Sequence, residues 1–134
     1  MARREHSRGE LTRKLLARGF GEPAVDDALD ALEAENLLSD RRFTETFVEQ
    51  RIARGHGPMR IRHELRQRGI DSALACEYID GDGSRWGERA AVVRHKRFGS
   101  DPPQDIRDRS RQTRFLAQRG FEHEHIRYAL DERE

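Results

Sequence analysis

The sequence predicts an all-α protein, an elongated array of tandem three-helix repeats whose first repeat lacks most of its first helix. Three observations predict it. A step of arginine, glycine and an apolar residue occurs as Arg18-Gly19-Phe20, Arg68-Gly69-Ile70 and Arg119-Gly120-Phe121, with the glycines 50 and 51 residues apart. Each glycine follows a leucine four residues upstream (Leu15, Leu65, Leu116) and precedes an apolar pair nine and ten residues on (Ala28-Leu29, Tyr78-Ile79, Ala129-Leu130). Across 134 residues the apolar fraction is 34% and the mean hydropathy -0.99, a thin core that a stack of small helical units tolerates better than a sphere.

The elements follow in order. Ser7 and Glu10 form a capping box, and the helix they open carries Leu11 and Leu15 on one face with Leu16 beside them. Gly19 supplies a left-handed C-cap, and Arg18 sits against the negative end of the helix dipole. Pro23 suits the first turn of the next helix, which runs to about Glu35 through Val25, Ala28, Leu29 and Leu32. Its outer face is acidic: Asp26, Asp27, Asp30 and Glu33.

After Leu37-Leu38, Ser39 or Asp40 caps a helix reaching about Arg54. Phe43, Phe47, Val48 and Ile52 form its apolar arc, and Arg51 falls inside that arc, where a charge must snorkel or be paired. Gly55-His56-Gly57 breaks the chain and Pro58 opens a helix with Ile61 and Leu65 inward and Met59, His63 and Arg66 outward. Beyond Gly69, Asp71 caps a short helix through Leu74, Tyr78 and Ile79, and Asp80-Gly81-Asp82-Gly83 is a turn. A calcium loop is excluded there because its later glycine and glutamate positions are wrong.

The helix from about Arg85 repeats the earlier spacing: Trp86, Ala90-Ala91 and Arg94 answer Phe43, Phe47-Val48 and Arg51. Val93 lies on it as well. After the longer link from Gly99 to Pro103, Phe115-Leu116 leads to Gly120, and a last helix carries Ile126, Ala129 and Leu130. The units are therefore 1–38, 39–83 and 84–134. Aligning Gly19 with Gly69 sets Met1 opposite Arg51, so the first unit is expected to lack a stretch of roughly 12 to 25 residues.

Net charge is +1, but the charge is in blocks: +4 over 1–21, -7 over 22–40, +5 over 41–70, -4 over 71–84, +6 over 85–120 and -3 over 121–134. Either neighbouring helices pair across the surface, or a basic stripe awaits a polyanionic partner. Arginine outnumbers lysine by 24 to 2. No stretch approaches a membrane span and the start is not an export signal. The lone Cys76 has no internal partner and is expected to be a small buried side chain, so the reading is a cytoplasmic protein and a monomer.

No catalytic or metal constellation emerges. His123 and His125 are two apart on a helix and cannot share a metal, and the glycines lack the strand-turn-helix setting of a phosphate loop. No enzyme activity and no cofactor are expected. Arg18, Arg68 and Arg119 recur with the architecture and are read as structural, closing the second helix of a unit against the third. Arg51 and Arg94 are read as buried or half-buried members of ion pairs, with Glu64 one candidate partner for Arg51. Outward charges that do not repeat are the candidates for partner contact: Arg54, Arg60, Arg62 and Arg66 in unit two, and Arg107, Arg111 and Arg114 in unit three.

Arg3-Arg4-Glu5-His6-Ser7 with Glu10-Leu11, Asp40 with Phe43, Arg51 through Gly55, Gly57, Ile61 and Glu64-Leu65 to Arg68-Gly69-Ile70, and Arg114-Phe115-Leu116 with Arg119-Gly120-Phe121 resemble the RecX regulatory proteins of bacteria. The likeness spans nearly the whole chain in order and departs at the start, where the family normally has a further helix. It implies tandem three-helix units that bind and inhibit the RecA recombinase filament, and so modulate recombination, DNA repair and the SOS response. A rival reading makes the helix pairs DNA-binding helix-turn-helix elements, but the helices after the glycines are acidic (Asp26, Asp27; Asp71, Glu77; Glu122, Glu124) and would repel DNA. Weak contact with DNA phosphate through the other helices stays open, as does a scaffold for an unrelated partner.

Overall fold

Caps and breakers set eight helices in the computed structural model, which describes residues 4–80 and 85–131. Helix α1 (Arg8–Ala17) starts behind Ser7, whose hydroxyl accepts the Glu10 N–H at 3.0 Å while Glu10 Oε1 accepts the Ser7 N–H at 3.1 Å. Pro23 lies in the first turn of α2 (Glu22–Ala34). Ser39 caps α3 (Asp40–Ala53), its Oγ accepting the Arg42 N–H at 3.1 Å. Pro58 opens α4 (Pro58–Gln67), and α5 (Ser72–Ile79) follows with Asp71 at its N-cap but no side-chain capping bond. The third group is α6 (Trp86–Phe98), α7 (Ile106–Gln118) and α8 (His123–Asp131), with Asp105 capping α7 through the Asp108 N–H at 2.8 Å. No helix among the described residues is long and apolar enough to cross a membrane.

The repeats do not keep separate cores. Phe43, Phe47, Ile61 and Leu65 of the second unit merge with Trp86, Leu116, Phe121 and Ile126 of the third into one apolar cluster. Trp86 joins the two: it is 2% exposed, and its Nε1 donates to the Ile79 carbonyl at 2.8 Å. Each side chain buried to this degree contributes about 1.5–3 kcal/mol. The first unit has a small cluster of its own, Val25, Leu29 and Leu38 against half-buried Leu11, Leu15 and Leu32. With two helices among the described residues, it leaves Leu37 65% exposed and Phe20 55% exposed, whereas Ile70 and Phe121, the equivalents of Phe20, are buried.

One device joins successive units. The start of the second helix of a unit docks on the Arg-Gly corner of the next. At the first joint the Ser7 hydroxyl donates to the Arg68 carbonyl at 2.6 Å, and a Cβ on Gly9 would lie 2.9 Å from that same oxygen. At the second, the Gly57 and Met59 N–H groups donate to the Arg119 and Gly120 carbonyls at 2.7 and 2.9 Å. A Cβ on Gly57 would overlap the backbone of Gly120 and Phe121. The corner glycines, Gly69 and Gly120, have φ of 80° and 100°, a left-handed turn that other residues adopt at a cost.

Three expectations are corrected. Cys76 is exposed, because α5 buries Ala75 and Ile79 with Leu74 and Tyr78 beside them, and Cys76 falls off that face. Ala28 is exposed, since α2 turns only Val25 and Leu29 fully inward. Arg94 is buried but its partners are neutral: Nε donates to Gln112 Oε1 at 2.8 Å, and the other nitrogens donate to the Gly99 and Asp101 carbonyls. The expected turn over Asp80-Gly81-Asp82-Gly83 and the alignment of Met1 lie outside the described residues, apart from Asp80 itself.

Candidate functional site

The joint between the second and third units opens a groove of about 370 Å³. Its apolar surface comes from Ile52 at the end of α3, Val92 and Val93 on α6, and Phe115 on α7. Five cations surround that floor: Arg54, Arg89, Lys96, Arg97 and Arg119. None of the five forms an ion pair among the described residues. Helix geometry explains the arrangement on α6. Arg89, Val92, Val93, Lys96 and Arg97 fall at i, i+3, i+4, i+7 and i+8, one face of the helix, while Trp86, Ala90 and Arg94 fill the buried face. Glu88, the one carboxylate on α6, borders a separate depression with Ala91 and His95 that shares only Val92 and Lys96 with the groove.

The aromatic ring in the groove is already engaged. Arg97 and Arg119 stand over Phe115 at 5.6 and 5.2 Å from its centroid, and Phe98 meets it in a T-shaped contact at 5.4 Å. Arg119 also donates to the Arg54 carbonyl at 3.3 Å, linking the corner of unit three to the end of α3.

A matching groove lies at the first joint, lined by Arg4, Phe43, Phe47, Arg51, Arg54 and Arg68 among others. Its cations other than Arg54 are neutralised. Glu10 Oε2 meets Arg4 at 2.8 Å and Arg68 at 3.3 Å, and Glu64 Oε1 accepts from Arg51 Nε at 2.9 Å. Arg51 and Arg68 further cover the ring of Phe47, at 4.2 and 4.8 Å. Burial pushes Glu10 and Glu64 up, but the facing guanidinium groups outweigh it and hold both carboxyls below their ordinary value. Counting along the repeat, Glu10 corresponds to Arg60 and Glu64 to Phe115. The two residues that neutralise the first groove are thus a cation and an aromatic at the second.

His56 lies under this second joint with its Nδ1 buried, without a hydrogen bond, and 4.0 Å from Glu64 Oε1. Burial pushes its pKa down, and so do the charges of Arg60, Arg51 and Arg119, with Glu64 opposing them. Its equivalent in the third unit, Arg107, is exposed.

The sequence-derived arginines scatter. Arg54 lines the groove, and Arg60 sits against Gly120, the neighbour of the lining residue Arg119, with Glu64 at 3.7 Å. Arg62 pairs with Asp80 at 2.9 Å and Arg111 with Asp108 at 2.8 Å. Arg66, Arg107 and Arg114 are exposed without an ion pair among the described residues. Of the recurring arginines, Arg68 and Arg119 make the corner contacts above, whereas Arg18 is exposed and makes none among the described residues. Asp40 accepts the Arg8 N–H through Oδ1 at 2.7 Å, tying α1 to α3. Arg89, Lys96 and Arg97 were not singled out from the sequence. Their signal was present as a mixed basic and aliphatic stripe on α6, opposite the face that matched the repeat. Among the described residues no cluster of His, Cys, Asp and Glu could hold a metal, and His123 is exposed while His125 is buried.

Models of the first, second and third three-helix domains of RecX match residues 1–32, 39–79 and 87–130. The regulatory protein RecX of Chromohalobacter salexigens is 45% identical over 130 residues, spanning 97% of this chain and 85% of that one. The regulatory protein RecX of Pseudomonas putida is 47% identical over 121 residues, spanning 90% and 78%. A crystal structure of RecX from Lactobacillus salivarius has the same fold, with a TM-score of 0.78 over 96% of this chain and 85% of that one at 21% identity.

Proposed function

The chain belongs to the RecX family of regulatory proteins, and from that premise we propose that it binds the RecA recombinase filament and inhibits it without catalysing a reaction. Recombination, DNA repair and the SOS response are the processes this inhibition modulates. The observation that supports a binding role is the groove at the second joint. Arg8, Arg41, Arg42, Arg51, Arg62 and Arg68 are all matched to carboxylates within the fold. Arg54, Arg89, Lys96, Arg97 and Arg119 cluster around apolar surface with none among the described residues. Unmatched cations that crowd one another cost stability, and a partner supplying anions offsets that cost. The contact is centred on this groove, with Arg60 against Gly120, the neighbour of the lining residue Arg119. Arg66, Arg107 and Arg114 extend the basic surface along α4 and α7, and Arg62 and Arg111 contribute less because each already holds a carboxylate.

A second reading, non-sequence-specific binding of nucleic acid through the same cations, predicts different behaviour. The test is RecA's single-stranded-DNA-dependent ATP hydrolysis with this protein titrated in, beside its binding to the same DNA alone. Inhibition at concentrations that leave naked DNA unbound supports the filament as target. Equal potency on naked DNA, vanishing with salt, makes the protein a competitor for phosphate. Unchanged hydrolysis at saturating protein overturns the proposal.

A further inference from the structure

We propose that the groove between the second and third units receives an acidic protein segment with an apolar side chain set between its carboxylates, rather than a nucleic-acid strand. This deepens the reading above and rests on it: the segment belongs to RecA. Three features of the groove carry the choice of occupant.

The floor is aliphatic where it is open. Val92 is 57% exposed, and Val93 and Ile52 lie beside it half-buried. Single strands are held without sequence preference by aromatic platforms on which bases stack. Phe115 is the one aromatic in the groove, and Arg97, Arg119 and Phe98 occupy its surroundings. Trp86 is buried. A base therefore finds no ring to lie on, while a leucine, isoleucine or methionine side chain finds branched aliphatic surface of its own kind.

The cations have a spacing. Arg89 and Lys96 flank Val92 and Val93 on α6 and are seven residues, about 10.5 Å, apart along the axis. An amphipathic helix laid along α6 meets that pattern with carboxylates two turns apart and an apolar residue midway. Arg54, Arg97 and Arg119 line the same groove and add forked donors suited to carboxylates.

At the first joint most of the corresponding cations are matched within the fold. There Glu10 pairs with Arg4 and Arg68, and Glu64 with Arg51, while the guanidinium groups of Arg51 and Arg68 lie over Phe47. Carboxylates among guanidinium groups beside an aromatic ring are the arrangement that neutralises Arg4, Arg51 and Arg68 at the first joint, and the change of Glu10 and Glu64 to Arg60 and Phe115 along the repeat leaves the second groove to take the same chemistry from outside.

The test places a photo-cross-linking residue, p-benzoylphenylalanine, at Val92 or, in a second variant, at Lys96. Each is mixed with RecA filaments on oligothymidine, assayed for inhibition of ATP hydrolysis, irradiated, and mapped by mass spectrometry. The expected product joins either position to a RecA peptide in which Asp or Glu flanks an apolar residue. In parallel, Arg89→Glu/Arg97→Glu is expected to raise the inhibitory concentration tenfold or more with an unchanged melting temperature. Cross-links only to oligothymidine, only to a second copy of this chain, or to a RecA peptide lacking acids overturn the proposal while inhibition stands. So does full inhibition with no cross-link from either position, or by the double charge reversal. Failure of the unsubstituted protein to inhibit overturns the functional reading itself, which separates the two failures.

Discussion

Glu10 and Arg60 hold the same place in consecutive repeats, each at the start of the helix that docks on the next Arg-Gly corner, and they carry opposite charge. Glu10 reaches Arg68 at that corner at 3.3 Å, whereas Arg60 sits against Gly120 next to Arg119. One joint is thereby closed by an internal ion pair and the other is left cationic. The distinction yields predictions for stability and for binding.

At the closed side of the second unit, Arg51 and Glu64 are mostly buried and bonded at 2.9 Å, with Arg51 also over Phe47. Arg51→Ala is expected to lower stability by about 1–3 kcal/mol, through lost packing and an orphaned carboxylate. Urea unfolding measures it. A double-mutant cycle with Glu64→Gln should return a coupling energy, and additivity within error would mean the pair contributes nothing.

Gly57→Ala is expected to cost more than Gly19→Ala. The first puts a methyl into the Gly120–Phe121 backbone, an overpacking that costs about 1–3 kcal/mol or displaces the joint. The second has open space around it and strains only its own backbone, at φ 95°, by about 1–2 kcal/mol. Thermal melts rank them, and the reverse order would contradict the close approach at the second joint.

Acid should destabilise the fold in two stages. His56 has its pKa held below 6.5 in the folded state, so the unfolded chain takes up its proton first as pH falls through 6.5. The stability it supports is complete above that pH and is lost as pH drops toward the folded value. Glu64 is held below 4.5, so its share is present above 4.5 and is lost at lower pH. His56→Gln is expected to flatten the upper stage alone, seen as urea midpoints between pH 7 and 5. Identical pH slopes in the two proteins would remove His56 from the account.

Gln112 satisfies a buried guanidinium. Gln112→Leu leaves Arg94 Nε without its acceptor and is expected to cost about 1–3 kcal/mol, more than Gln112→Glu, which restores an acceptor. Equal losses for the two substitutions would show that packing, not the hydrogen bond, matters at this position.

The groove cations should separate from the scattered ones in function. Reversing Arg89, Lys96 and Arg97 to Glu is expected to weaken inhibition of RecA at least tenfold, while Arg66→Glu/Arg107→Glu/Arg114→Glu has a smaller effect. RecA ATP hydrolysis reads both, with circular dichroism as the folding control. A larger loss for the second set would move the contact away from the groove.

The sequence by itself determined the helices, their order and their repeat, because caps, breakers and apolar period act within a few residues. Ser7 with Glu10, Pro58, Gly69 and the arc of Phe43, Phe47 and Arg51 were all legible, and even Glu64 stood out as an acceptor for Arg51 thirteen residues away. Tertiary structure decided which charges remain unmatched. Whether an arginine is neutralised depends on the carboxylate carried across a joint from another unit, as Glu10 is brought to Arg68 from 58 residues away, and no local period encodes that. Packing likewise chose which face of α5 is buried, leaving Cys76 exposed, and set Arg94 against the neutral acceptors Gln112, Gly99 and Asp101. Helix position fixes a side chain's direction, but only packing fixes what it meets.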